Sequence, residues 1–239
     1  MSDSINTEFD SAIDCFSENA RAFDKYYTTM IDFKDRVWIW RQLIDQYATS
    51  GDYAVDMGCG TGIFSFYMAE KGLQVVGIDA AVKMIDLCEH QRLERSLENL
   101  YFQRAELPML KGVELEQSNL IVCSSVLEYI EPFEETLALF SRLLEEQGIL
   151  IISLPNASSI YRRYQRWKFR LWQQPKIFKY IKNVVSPKQL ESCLQPFGLK
   201  MLELHYYAHD TRVSRLFRWL RFSPKYTENL FVAVFRKSN

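Results

Sequence analysis

The segment Asp56-Met57-Gly58-Cys59-Gly60-Thr61-Gly62 sets three glycines at alternate positions behind an aspartate. Glycines let a backbone turn tightly and come close to a bound molecule. If a helix starts just after such a turn, its unpaired amides can hold an anionic group such as a carboxylate. Asp79 follows Gly58 by 21 residues. An acid at roughly that distance, closing the next strand, hydrogen-bonds ribose hydroxyls in nucleotide-binding sheets. Glu106, in Ala105-Glu106-Leu107-Pro108, is a third acid placed to join them. The alternation Gly58-x-Gly60-x-Gly62 is not the G-x-G-x-x-G of nicotinamide-binding loops. Together these residues point to a nucleoside-binding rim.

The elements that must carry this rim are legible in the hydrophobic pattern. Strands are expected at 53–55, 74–79, 100–103, 120–123 and 149–154. Helices are expected at 63–71, ending at Gly72, at 81–97, and at 134–146, stopped near Gly148. Strands alternating with helices imply a parallel sheet covered on both faces. Such a sheet binds ligands beyond the carboxyl ends of its strands, where all three acids fall. Residues 9–48 read as mostly helical. After Pro155 the pattern changes to a basic, aromatic, helix-like stretch over 157–183. Ser186-Pro187 then opens another helix, and residues 200–207 and 229–235 read as two closing strands.

The chain has 239 residues, of which 48% are hydrophobic, enough for one α/β core with insertions. No apolar run reaches the roughly 20 residues needed to span a bilayer. The polar N-terminus lacks a targeting pattern, and the five scattered cysteines make no disulfide or metal spacing, so reduced thiols in a cytoplasmic protein without a metal site are expected. The net charge of −1 conceals a division. Residues 1–156 hold 12 lysines and arginines against 26 acids, whereas residues 157–239 hold 17 against 4. Within the basic part, Ile160, Tyr164, Trp167 and Leu171 share one helical face, with Arg163, Arg166 and Arg170 around it. Val213, Leu216, Phe217 and Leu220 repeat the pattern among Arg212, Arg215, Arg218 and Arg221.

The glycine loop, the spaced acids and the order of elements resemble the class I S-adenosylmethionine-dependent methyltransferases, in the broad group that includes the ubiquinone-biosynthesis type. The likeness covers residues 50–155 well and the closing strands loosely. It implies a Rossmann-like, seven-stranded, mostly parallel sheet with an antiparallel last strand. It also implies one domain over 1–239, with a helical lid over 1–48, a cofactor core over 50–155, and substrate-side insertions over 156–185 and 208–227. By the same likeness Asp56, Gly58, Cys59, Gly60 and Gly62 would hold the methionine part of S-adenosylmethionine. Asp79 would bind the ribose, Ala80 and Met84 would flank the adenine, and Glu106-Leu107 would lie near its amino group. Ser124 and Ser125 would begin the junction between cofactor and substrate, which runs on through Glu128 and Tyr129. Asn119 stands where the family usually has an acid.

Methyl transfer is an in-line displacement, so the protein must chiefly align donor and acceptor and exclude water. A general base is needed only if the acceptor must first lose a proton. His209, beside Asp210, is the best-placed histidine; His205 is nearby in sequence and His90 reads as a surface residue. Tyr26 and Tyr27 lie in the segment expected to form the lid, and Tyr27 is the second catalytic candidate. Ser124-Ser125-Val126 is not the Asn/Asp-Pro-Pro-Tyr signature of exocyclic-amine methyltransferases, which argues against DNA. The basic, aromatic part suits a small-molecule or lipid-linked acceptor with an anionic portion, met at a peripheral membrane position. RNA held by charge and stacking is the alternative, and a non-catalytic S-adenosylmethionine-binding protein is a third reading.

Overall fold

A computed structural model describes residues 9–29, 31–172, 176–207 and 222–238. Seven strands, β1 (Tyr53–Met57), β2 (Gln74–Asp79), β3 (Leu100–Arg104), β4 (Ser118–Ser124), β5 (Leu144–Pro155), β6 (Leu199–Tyr207) and β7 (Leu230–Lys237), form one sheet in the order β3-β2-β1-β4-β5-β7-β6. β1 to β5 pair in parallel, whereas β7 runs antiparallel to both its neighbours. This is the mostly parallel α/β sheet that the alternation of elements implied. The strand order reverses between β1 and β4, which run parallel, and this opens a crevice at their carboxyl ends.

Side chains alternate between the two faces of the sheet. Ala54, Leu120, Val122, Ile149 and Ile151 join one buried cluster, and Val55, Ile121, Cys123, Leu150 and Ile152 join the other. The first face is covered by α3 (Ile31–Tyr47), α4 (Ile63–Glu70) and α5 (Val82–Glu94), the second by α6 (Phe133–Leu143) and α8 (Pro187–Leu194). α8 starts as the sequence indicated: Ser186 caps the Gln189 amide and Gln189 returns the bond, a capping box with proline in the first turn.

The N-terminal helical region divides into α1 (Ala12–Glu18), α2 (Ala20–Thr29) and α3. Trp40 and Ile44 of α3 are fully buried, and the Trp40 ring stacks on Phe64 at 5.0 Å. Each such side chain contributes roughly 1.5–3 kcal/mol of burial, so this end of α3 is fixed core. α1 and α2 instead lie against α5, where Phe16, Ala20 and Phe23 pack on Ala81 and Met84.

The region around Gly148 corrects the sequence reading. α6 ends at Leu143, and β5 begins at once rather than after a helix stopped at Gly148. Leu144 already pairs with Ser118. Gln147 sits at φ 64°, and a side chain at Gly148 would come within 2.8 Å of the Glu145 carbonyl. The glycine is therefore needed for close backbone approach in a bulged strand. The predicted basic helix over 157–183 resolves into α7 (Ile160–Trp172) and a 3-10 segment, Lys176–Tyr180. Most of the 208–227 insertion, with Val213, Leu216, Phe217 and Leu220, lies outside the described residues, as does His209.

Candidate active site

A cavity of about 720 Å³ occupies the crevice at the ends of β1, β2 and β4. Its floor is the glycine loop. The amides of Gly58 and Cys59 both donate to the Ile78 carbonyl, at 2.7 and 2.9 Å, which folds the loop over β2. Gly58 stands at φ 75°, and a side-chain carbon there would meet Val126 at 2.2 Å. Gly60, at φ 55°, would meet nothing within 4 Å, because it borders the open cavity. Gly62 is not among the lining residues; it starts α4, and a side chain there would strike Phe66 and Cys88.

The two acids of the floor are held differently. Asp79 accepts the amides of Gly60 at 2.9 Å and Ala81 at 2.8 Å. Burial raises its carboxyl above the usual range, and these amides oppose the shift. Asp56 is 1% exposed and accepts the Ser65 hydroxyl at 2.6 Å. Burial first, and the nearby Asp79 charge as well, push it up to about 7, although the Ser65 bond favours its charged form. Burial also pushes the Cys59 and Cys123 thiols well up, so neither is a thiolate near neutral pH.

At one end the cavity is apolar: Ala81, Met84 and Leu107 line it together with Phe16 and Phe23. Ala80 and Glu106 stand at the same end, and Glu106 is an exposed rim residue. At the other end Ser124 and Ser125 close β4. Ser125 occupies the left-handed region at φ 57° and donates its amide to the Ser153 hydroxyl at 3.0 Å. A non-glycine residue held there is strained, and such strain gathers at functional sites. Asn119 keeps an acceptor where the family usually has an acid: its amide oxygen receives the Tyr53 amide at 2.9 Å.

Beyond Ser125 the wall turns polar. Glu128 is 3% exposed and sits in the 3-10 turn Leu127–Tyr129, which the 181–185 segment secures. The amides of Lys182 and Asn183 donate to the Glu128 carbonyl, and the Asn183 side chain donates to the carbonyls of Leu127 and Ile130. Burial pushes the Glu128 carboxyl up to about 7. Arg162, Lys179, Tyr180 and Lys182 line the same end. So does Arg36 of α3, whose guanidinium donates to the Ser124 carbonyl at 2.9 Å.

α1 spans the opening. The Lys83 ammonium pairs with Glu18 at 2.7 Å, anchoring α1 to α5. On the far side Phe16 meets the Tyr129 ring edge-on at 5.2 Å, and the Tyr180 hydroxyl donates to the Phe9 carbonyl.

The crevice thus gathers Asp56, Gly58, Cys59, Gly60, Asp79, Ala80, Met84, Glu106, Leu107, Ser124 and Ser125, every expected cofactor residue except Gly62. Neither catalytic candidate is brought into it by a described side chain. Tyr27 lies on α2, with its side chain, like that of Tyr26, outside the description. His205 lies within β6, exposed and bonded to Glu203 at 3.1 Å, away from the cavity. His90 is a surface residue beside Glu94. Arg36, Arg162, Lys179, Tyr180 and Lys182 also line the cavity, with no motif in the sequence marking them for it. Arg162 alone carried a local signal, since it falls opposite the Ile160/Tyr164/Trp167/Leu171 face on a helical wheel.

A family model described as a methyltransferase domain matches residues 29–204. Among curated relatives, YqeM of Bacillus subtilis, a methyltransferase by name, is 26% identical over 124 residues, covering 51% of this chain and 49% of its own length. The chain thus spans about half of that relative. The ubiquinone biosynthesis O-methyltransferase of Coxiella burnetii is 22% identical over 172 residues, 68% of this chain and 70% of that one. The magnesium protoporphyrin IX methyltransferase of Synechocystis PCC 6803, solved with bound SAH, shares the fold at TM-score 0.67 and 15% identity, over 98% of this chain and 91% of that one.

Proposed function

We propose that this chain, which belongs to the methyltransferase-domain family and takes S-adenosylmethionine as its methyl donor, delivers the methyl group to a small-molecule or lipid-linked acceptor at the basic end of the crevice. When bound, S-adenosylmethionine supplies an electrophilic methyl carbon on a cationic sulfur. The residues present suit it. Gly60 leaves room for close approach, the Asp79 carboxylate faces the cavity from a rigid amide cradle, and Ala81, Met84 and Leu107 make an apolar slot of the kind an adenine fills. Asp79 would accept the ribose hydroxyls, and the loop from Asp56 to Gly60 would hold the amino-acid part.

The observation that carries this reading is the continuity of the cavity from the glycine loop to the wall of Glu128, Arg162 and Lys182. A volume of about 720 Å³ is in the range of small-molecule sites. α1, α2 and the 176–183 segment would act as the cover that keeps water out. A lipid-linked acceptor is favoured by α7. Its Tyr164, Trp167 and Leu171 are each more than half exposed, on a helix flanked by arginines, the composition of an interfacial helix. The relative from Coxiella, named for ubiquinone biosynthesis, agrees with an acceptor of this kind.

Calorimetry with S-adenosylmethionine tests the donor site. Labelling cell extract with tritiated methyl donor, then separating lipid, RNA, protein and small molecules, tests the acceptor. Label is expected in the lipid or small-molecule fraction. Label confined to RNA would transfer the assignment to nucleic acid, where the rings of Tyr161, Tyr164 and Trp167, spaced 6.3 and 6.1 Å apart, would serve as base platforms.

A further inference from the structure

Two groups of opposite charge, a buried Glu128 and a half-buried Arg162, face the basic end of the cavity without pairing. Glu128 lines it at 3% exposure, and its Oε2 atom has no hydrogen-bond partner. Arg162 lines it from α7, with Nε buried and also unpartnered. Its guanidinium lies over the Phe178 ring, 5.4 Å from the centroid, and makes no ion pair among the described residues. The two are too far apart for a salt bridge with each other. Burying such groups unpaired is costly, and the cost is recovered only when something completes them.

The orientation of α7 adds to this. The helix turns Tyr164, Trp167 and Leu171 outward and Arg162 inward. Arg163, Arg166 and Arg170 stay exposed, as on an ordinary amphipathic helix, so the inward Arg162 is the exception. Placing a guanidinium inside while aromatic rings stay outside makes sense if the interior partner is an anion.

We infer that Glu128 and Arg162 form a two-pronged acceptor subsite, in which Arg162 takes a carboxylate or phosphate of the acceptor and Glu128 takes the hydrogen of its hydroxyl or amine. The inference rests on the proposed methyl-transfer reading and narrows it to acceptors bearing both groups. A guanidinium fork matches either oxyanion with two parallel hydrogen bonds. Fixing an acceptor at two points leaves it one orientation, which is what alignment with a methyl donor requires. The Phe178 ring under the guanidinium holds its plane, and Tyr129 and Ile130 line the same end, giving the acceptor's apolar body something to lie against.

The test is binding to the SAH-loaded protein by calorimetry, with SAH affinity measured first. Failure of the wild type to bind SAH would refute the donor site itself, and the subsite that rests on it. With SAH bound, benzoate and phenyl phosphate are the probes, and neutral benzamide is the control. Saturable binding of at least one oxyanion and not of benzamide is expected, with the stronger of the two naming the anion. Arg162→Leu should weaken that binding at least tenfold, Arg162→Lys should restore part of it, and SAH affinity should stay unchanged in both. Among the three hydroxybenzoate isomers, at least one should exceed benzoate, and Glu128→Leu should remove the gain while Glu128→Gln retains part of it. If neither oxyanion binds, if benzamide binds equally, or if Arg162→Leu leaves oxyanion affinity unchanged, the subsite is wrong. Hydroxybenzoates that gain nothing over benzoate, or a gain that survives Glu128→Leu, would remove Glu128 from it.

Discussion

Asp79, half-buried, and Glu128, buried, are both acids of the cavity, yet they make opposite demands. Asp79 already receives two backbone amides, which support its charge, and it lines the cavity. Asp79→Ala should reduce S-adenosylmethionine affinity by well over tenfold, since hydrogen bonds to a charged group contribute about 1.5–3 kcal/mol each; calorimetry reads this directly, and unchanged affinity would displace the cofactor. Glu128 has less support: a backbone hydrogen bond at its own residue opposes the cost of burial, but its Oε2 atom has no partner. Arg36 from α3 and Arg162 from α7 favour its charge, but burial wins and its carboxyl rises from 4.5 to about 7, beside Tyr129 and Cys123. The unfolded chain therefore gives up this proton first as pH rises, so the folded state is progressively disfavoured between about pH 4.5 and 7 and bears the full cost above that. A shift of this size corresponds to about 3 kcal/mol. Unliganded Glu128→Gln should melt above wild type at pH 8 and close to it at pH 4.5, as scanning calorimetry would show. A constant difference across that range would mean that the carboxyl does not titrate as placed.

Among the elements, α1 and α2 differ in kind from α3. The end of α3 is anchored by Trp40, Leu43 and Ile44 in the core. α1 and α2 rest on a smaller cluster around Ala20, Ala81 and Met84, with links to Lys83 and Tyr180. Elements with few buried apolar contacts open at low free energy. Hydrogen exchange should find the amides of α1 and α2 fast in the unliganded protein and clearly slowed by SAH, with the second half of α3 protected in both states. Equal exchange of α1 and α2 with and without SAH would deny them the role of cover. α7 raises a separate question, because Tyr164, Trp167 and Leu171 gather on one exposed face, whereas the exposed Trp38 of α3 and Leu93 of α5 stand singly among the described residues. Vesicles containing anionic lipid should sediment the protein at low salt, and Trp167→Glu should release it. Recovery of the wild type entirely in the supernatant would remove the membrane from the acceptor proposal.

For the whole molecule, the proposed donor and acceptor ends of the crevice come from different stretches of chain. The donor end is built by residues 56–107 and the acceptor end mainly by residues 124–182, with α1 bridging the two. A ligand held across such a junction stabilises the entire fold. SAH at a hundred times its dissociation constant should add about 2.7 kcal/mol. For a chain of this length that is a rise in Tm of roughly 5–10 °C, measurable by thermal shift. Asp79→Ala should lose most of that rise at the same SAH concentration.

The sequence by itself determined the sheet, most of the helices that cover it and the rim proposed for the donor. Those features rest on local rules: two-residue alternation in strands, glycines where the backbone must turn, acids at strand ends. Asp56, Gly58 and Asp79 belong to adjacent parallel strands and their loops, so the sequence places them together once the strands are known. The acceptor wall was not legible in this way. Arg36, Glu128, Arg162 and Lys182 come from four separate segments, and their meeting depends on how α3, α7 and the 176–183 segment pack across the crevice. Nor could periodicity say which face of α7 turns inward. An amphipathic pattern identifies two faces, but only the three-dimensional neighbourhood decided that Arg162 would line the cavity with Glu128 and the aromatic rings be left outside. The boundary at Leu144 was missed for the same reason, because a bulge answers to the partner strand and not to the residues before it. Local chemistry fixed the glycine and acid rim proposed for the methyl donor; long-range packing decided the wall that this rim faces.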